Sequence, residues 1–197
     1  NSVTAIGVNA GTGHYGSTDE SVYIGSGAGQ YSTTGYFNVI IGNNSGAGTG
    51  GTSNVMMGYK VGGGNGANPT DPMGSFSRNV YIGYLAGDYA GACSDNVMIG
   101  ADVGRYSNKD GMVAVGAYAM ANAMASGSGT GVAIGYYAHH KASNAYGNTA
   151  VGAYALQNTT TSNYNTAIGK SAGASNVTGQ KNTLVGEGAG AAFTTTD

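Results

Sequence analysis

A nine-residue phrase governs this chain. Aligned on one glycine it recurs eleven times, at Gly7, Gly25, Gly42, Gly58, Gly83, Gly100, Gly116, Gly135, Gly152, Gly169 and Gly186. Successive glycines stand 16 to 19 residues apart, save one step of 25 from Gly58 to Gly83. The residue before the glycine is Ile or Val, once Met57, and the residue three before it is Thr or Val in every copy. Large aliphatic and β-branched residues at alternate positions mark a strand, because both point to one face of a pleat. Three after the glycine stands Ala, replaced only by Ser45, Val61 and Val103. The phrase therefore predicts a short strand that ends at the glycine and turns into a second short segment at the alanine.

Eleven short strands at this spacing predict an all-β, elongated β-solenoid of about eleven coils, one coil per phrase. Residues 1–197 then form a single repeat domain with one insertion loop, 61–79. Stacking at about 4.8 Å per coil gives a rod on the order of 50 Å long. A single coil cannot bury its apolar face, whereas stacked coils share a continuous core. The anchor glycine is explained by backbone geometry, either a positive φ or a corner too tight for a Cβ. Composition agrees with an ordered, tightly turning chain: 38 glycines, 8% charged residues and 41% hydrophobic ones lie outside the disordered class. The glycines do not fall every third residue, so collagen is excluded.

Asn recurs four before the glycine, as Asn38, Asn54, Asn79, Asn96, Asn148, Asn165 and Asn182. Two readings stand open: an amide ladder along the axis or local turn bonding. The column two before the glycine holds Ala5, Tyr23, Ile40, Met56, Tyr81, Met98, Ala114, Ala133, Ala150, Ala167 and Leu184, none of them charged. If Thr166 and Ile168 face the interior, Ala167 and its column face outwards. An unbroken apolar stripe on the outside implies a partner surface, and a homotrimer, intertwined or side by side, would cover it.

The wording of the repeat resembles two related families. N-[TV]-x-[IV]-G-x-x-A looks like the head repeats of trimeric autotransporter adhesins. NTAVGAYALQNTTTSNYNTAIGKSAGASNVTGQKNTLVGEGAG at 148–190 is closer still to the NTAVGYxAL…NTTG repeats of bacteriophage tail fibres. The resemblance implies a trimeric, left-handed parallel β-roll on a fibre or adhesin, and it supplies no catalytic residues. This chain departs from the pattern in its longer steps, its tyrosine-rich loops and the lack of the self-cleaving chaperone that often follows such repeats. It begins at Asn1 without Met and is read as a processed product or a fragment.

Catalytic equipment is sparse, and we expect no enzyme. The glycine runs at 25–29 and 129–135 lack the Lys-Ser/Thr end and the strand-to-helix context of a phosphate loop. His139 and His140 are adjacent and so face opposite ways; both are expected at the surface rather than on a metal, with His14 distant. A glycan depolymerase needs a carboxylate pair across the scissile bond. Asp19 and Glu20 are adjacent, and Asp88, Asp95, Asp102 and Asp110 recur through the middle. The favoured reading makes them solvated charges, and release of reducing ends from a host polysaccharide would separate the two. An acyltransferase of the hexapeptide class requires an apolar residue every six positions, and Gln30 and Tyr36 after Ile24 break that period. Threonines cluster in loops, as at Thr159, Thr160 and Thr161, rather than in the flat array an ice-binding face would need.

A net charge of −2 gives no electrostatic footprint for nucleic acid or anionic lipid. No apolar run reaches the roughly 20 residues that span a bilayer, so membrane insertion is not expected. Cys93 is alone, which excludes a disulfide framework, and no cofactor or metal is expected. Binding should sit between the phrases, where insertions and loops gather. Of fifteen tyrosines, Tyr31, Tyr36, Tyr59, Tyr84, Tyr89, Tyr106, Tyr136, Tyr137 and Tyr154 lie in or near inter-coil segments and suit recognition as flat, amphipathic residues. The candidate receptor-binding residues are Asn68, Phe76 and Arg78 of the insertion with Tyr89, Tyr106, Tyr136 and Tyr137. The competing reading places those tyrosines in trimer contacts and coil corners. The expected function is structural and attachment: a fibre segment of a virion tail, or an extracellular or cell-surface adhesin. Its partners would be itself, a host-surface glycan or protein, and other fibre or baseplate proteins. The alternatives are a tailspike-like depolymerase and a self-assembling extracellular filament.

Overall fold

The computed structural model of the protein describes residues 2–13, 20–31, 35–47, 51–63, 76–90, 93–123 and 130–192. Every phrase forms its strand: β1 (Thr4–Ile6), β2 (Val22–Ile24), β3 (Val39–Ile41), β4 (Val55–Tyr59), β5 (Val80–Tyr84), β6 (Val97–Ile99), β7 (Met112–Val115), β8 (Gly131–Ile134), β9 (Thr149–Val151), β10 (Thr166–Ile168) and β11 (Thr183–Val185). They pair in sequence order as one parallel sheet of eleven strands. The register matches phrase to phrase, as Thr166 to Thr183 and Ala167 to Leu184. The chain is a β-solenoid, and no helix among the described residues is long and apolar enough to cross a membrane.

The anchor glycines satisfy both geometric demands at once. Gly152 has a φ of 128°, and a Cβ there would stand 2.6 Å from the carbonyl of Gly169. Past the anchor, the chain turns through two further left-handed residues per coil, two and four after the glycine. Asn44, Lys60, Leu85, Tyr118, Tyr137 and Tyr154 occupy the first of these positions, with φ between 50° and 62°. This conformation is uncommon outside glycine and is held here by hydrogen bonds that run both ways along the axis. Leu85 N donates back to Tyr59 O at 3.0 Å, and Gly87 N donates forward to Val103 O at 2.9 Å. A second ladder therefore runs beside the sheet, built from turns.

The faces of the strand are the reverse of the sequence expectation. The column two before the glycine is the core: Tyr23, Met56, Tyr81, Met98, Ala114, Ala133, Ala150 and Ala167 are fully buried and Ile40 nearly so. Thr166 is half-buried, and Ile168 is exposed, at 43%. The physical reason lies in volume. Where the core column is large, the position four after the glycine is Gly, and a Cβ at Gly46, Gly62 or Gly87 would meet Ile40, Met56 or Tyr81 at 2.6 to 2.8 Å. Where the core column shrinks to Ala114, Ala133 and Ala150, that position becomes Met120, His139 and Leu156, all buried. Ala167 and Gly173 are small together, and Leu156 and Leu184 from the neighbouring coils fill the gap. The interior is a jigsaw between two columns, as close packing requires.

The amide ladder is present, in two runs. Asn54 Nδ2 donates to Asn38 Oδ1 at 3.0 Å and Asn79 Nδ2 to Asn54 Oδ1 at 3.2 Å. Further along, Asn165 donates to Asn148 and Asn182 to Asn165, both at 3.1 Å. Each rung is buried or partly buried, and each also bonds the backbone, as Asn165 Nδ2 to Gly179 O at 2.9 Å. The runs break at Met112 and Gly131, and there the interior holds the buried Lys109 and His139.

Candidate functional site

The outer columns of the turns carry the side chains with most chemical capacity. One and two after the glycine stand Asn44, Tyr59, Lys60, Tyr84 and Leu85; five and six after it stand Gln30, Ala47, Gly63, Asp88, Tyr89 and Arg105. Together they line a groove of about 400 Å³ that runs along the axis over five consecutive coils, a span of about 19 Å at the strand spacing. Its depth comes from Ala47 and Gly63, the two small residues between Gln30 and Asp88 in one column.

Aromatic pairs flank the groove. Tyr59 and Tyr84 stack at 5.4 Å between ring centroids with 8° between planes, and Tyr89 and Tyr106 stack at 5.3 Å. Neighbouring coils have Asn43 and Ala101 in the column of Tyr59 and Tyr84, so the column places no third ring on the outer faces of that pair. The Arg105 guanidinium lies 5.4 Å from the centroids of both Tyr89 and Tyr106. It bonds Asp102 at 3.0 Å and faces Asp88 at 3.6 Å. Its Nε has no hydrogen-bond partner among the described residues. Burial pushes the Asp88 carboxyl up to about 6, against the lowering pull of Arg105 and Lys60. The carboxyl is therefore mostly ionised at neutral pH and accepts hydrogen bonds there.

The residues singled out from sequence fall in different places. Tyr89 lies on the groove, and Tyr106 stacks on it from the next coil. Tyr136 and Tyr137 belong to a second aromatic cluster with Tyr118, Tyr154 and His140; Tyr118 and Tyr137 stack at 4.7 Å. Arg78 is exposed on another corner and forms a two-pronged pair with Asp95, at 2.6 and 2.8 Å. Phe76 is a correction: it is fully buried, its ring edge-on to Tyr81 at 6.2 Å, so it offers no receptor surface. Val61 and Asn79, the ends of the insertion, are core residues too. Asn68, like His14, Asp19 and both prolines, lies outside the described residues.

Of the aspartates, Asp88 and Asp102 meet on Arg105, while Asp110 accepts from Ser94 N at 2.7 Å. Tyr59 and Tyr84 are among the inter-coil tyrosines that the sequence points to, whereas Lys60, Asn44 and Arg105 are not among the binding candidates. No single column marks them: the positions one, two and five after the glycine vary freely from coil to coil, and only the stacking brings these residues together.

The histidine expectation is corrected at one position. His140 is half-buried and bonds Tyr118 O and Asn122, each at 3.0 Å. His139 instead points inwards, 2% exposed. Its Nδ1 lacks a partner among the described residues, and burial together with the charge of Lys109 lowers its pKa to about 3. Lys109 donates to Ala145 O at 2.8 Å. Among the described residues no three His, Cys, Asp or Glu side chains gather as a metal site would require. Cys93 is buried beside the Tyr81 hydroxyl at 3.2 Å, and burial pushes its thiol up to about 11.

Comparison with known proteins gives no match: no family model, no curated protein and no solved structure is significantly similar to this chain.

Proposed function

We propose that this chain is a structural and attachment protein, a homotrimeric segment of a phage tail fibre or of a related surface adhesin. It acts passively: stacked coils supply a stiff shaft, and the turn columns present side chains to a glycan or protein on a host surface. Other fibre or baseplate proteins would join its ends.

The observation that supports this reading is the outer face of the sheet. The strand positions one and three before the glycine are Val, Ile, Thr and Met57 throughout, and none is buried in the single chain. Ile99, Ile134 and Ile168 are 37%, 41% and 43% exposed. Three residues wide and eleven strands long, this face measures on the order of 500 Å², comparable with the largest apolar patch of an ordinary monomer and of the kind that marks an interaction site. The face carries no charge. Three chains around one axis cover three such faces together and leave none exposed, and the likeness of the phrase to fibre repeats favours three over two. Substituting Ile99→Lys together with Ile134→Lys places cations within the proposed interface. The expected result is folded monomers with unchanged β-sheet circular dichroism; a double variant that sediments like the parent would refute the interface.

A further inference from the structure

We infer that the axial groove beside Tyr59 and Tyr84 binds a short linear oligosaccharide, and so gives the attachment reading, on which this rests, a site and a ligand class. The cavity of about 400 Å³ falls within the range of small-molecule sites, which combine flat apolar walls with a few polar groups. Here the wall is the stacked tyrosine pair: Lys60 Nζ lies over the Tyr59 ring at 5.8 Å, and the exposed Tyr84 ring suits the axial C–H face of a pyranose. The polar groups are the Asp88 carboxylate, the Lys60 amine, the Asn44 amide and the Gln30 amide, acceptors and donors matched to vicinal hydroxyls. The Asp88 side chain is 5% exposed and lies 3.6 Å from Arg105 Nε, so burial and the neighbouring cation restrict the hydroxyl acceptor before the ligand arrives.

A peptide fits less well. Extended peptides bind by pairing with free main chain, and the main chain along this groove is already paired. Lys60 N bonds Asn43 O, Leu85 N bonds Tyr59 O and Gly62 N bonds Ala86 O, at 2.9 to 3.0 Å. The floor at Ala47 and Gly63 also offers no deep apolar hole for an anchor side chain. A saccharide needs neither.

The test is saturation-transfer NMR on the whole protein with maltotetraose, cellotetraose and N-acetylated chitotetraose as probes. At least one is expected to receive saturation at its ring C–H protons. That transfer should fall at least fivefold in Tyr84→Ala, an exposed position whose loss spares the core, and in Asp88→Ala. It should be unchanged in Tyr164→Ala, on a distant corner. No transfer to any of the three sugars, or transfer that survives Tyr84→Ala, overturns the inference. A trimer that binds none of them sinks the groove assignment alone, whereas a monomer that binds them through Tyr84 sinks the trimer alone.

Discussion

Gly152 illustrates how little freedom the anchor position has. Its φ of 128° is poorly tolerated by L side chains, and the space for a Cβ is taken by Gly169. Gly152→Ala combines backbone strain of about 1–3 kcal/mol with a clash against main chain that cannot swing aside. We expect a loss of about 3 kcal/mol or more, read as a fall in the urea midpoint; a midpoint equal to the parent's would contradict the fold assignment at this residue. His139 illustrates a different constraint. Its folded pKa of about 3 lies below the ordinary 6.5, so the unfolded chain binds the extra proton. Its neutral burial is then fully tolerated above about pH 6.5, and stability falls as pH drops towards 3, by about 1.4 kcal/mol per pH unit at the steepest. Asp88 works in the opposite sense between 3.8 and about 6, because its folded form holds the proton more tightly. Comparison with His139→Leu isolates the histidine, since Leu156 occupies the same position one coil later with the same φ of 48°. The gap in melting temperature between variant and parent should widen from pH 7 to pH 4.5; parallel curves would contradict it.

At the scale of the coil, the organising relation is the exchange of volume between the core strand column and the position four after the glycine. A fully buried Leu or Met contributes about 1.5–3 kcal/mol, but only if the facing position leaves room. Leu156→Gly should therefore cost about 3–4 kcal/mol through the cavity it opens beside Ala150. Ala150→Leu alone should also destabilise, by overpacking. Together they recreate the pairing seen at Leu184 and Gly190, and the double variant should recover most of the loss, as a double-mutant cycle in denaturant would show. Additive losses would refute the relation. This same relation explains what was and was not legible in the sequence. Strand positions and register follow from a phrase whose columns one and three before the glycine keep their Ile/Val/Met and Thr/Val character in all eleven copies, while the amide ladder is one of two readings that the Asn column leaves open. The facing of the strand was misread because uniform β-branched columns look like core, whereas here they form the outer face. The varied column is the interior, since each coil fills its volume differently. Tyr81 and Gly87, or Ala150 and Leu156, held that information as pairs, and no single column did. Phe76 was misplaced for a related reason, because proximity to two prolines suggested a loop while its ring closes the core against Tyr81. The groove was only half legible: Tyr89 stood out as an aromatic, but the depth at Ala47 and Gly63 arises from residues sixteen positions apart and needs the stacking to be seen.

At the scale of the molecule, a solenoid of eleven stacked strands has a close-packed interior, a turn face rich in tyrosine and a sheet face of Val, Ile and Thr. The first gives stiffness and the second offers chemistry to a ligand. The third is the apolar face that, in the reading proposed above, a second and third copy of the chain would cover without any new surface. That claim is tested most directly by sedimentation equilibrium of the purified protein across micromolar concentrations. The account predicts a mass three times the 19.4 kDa of the chain. A mass of 19.4 kDa throughout that range would contradict it.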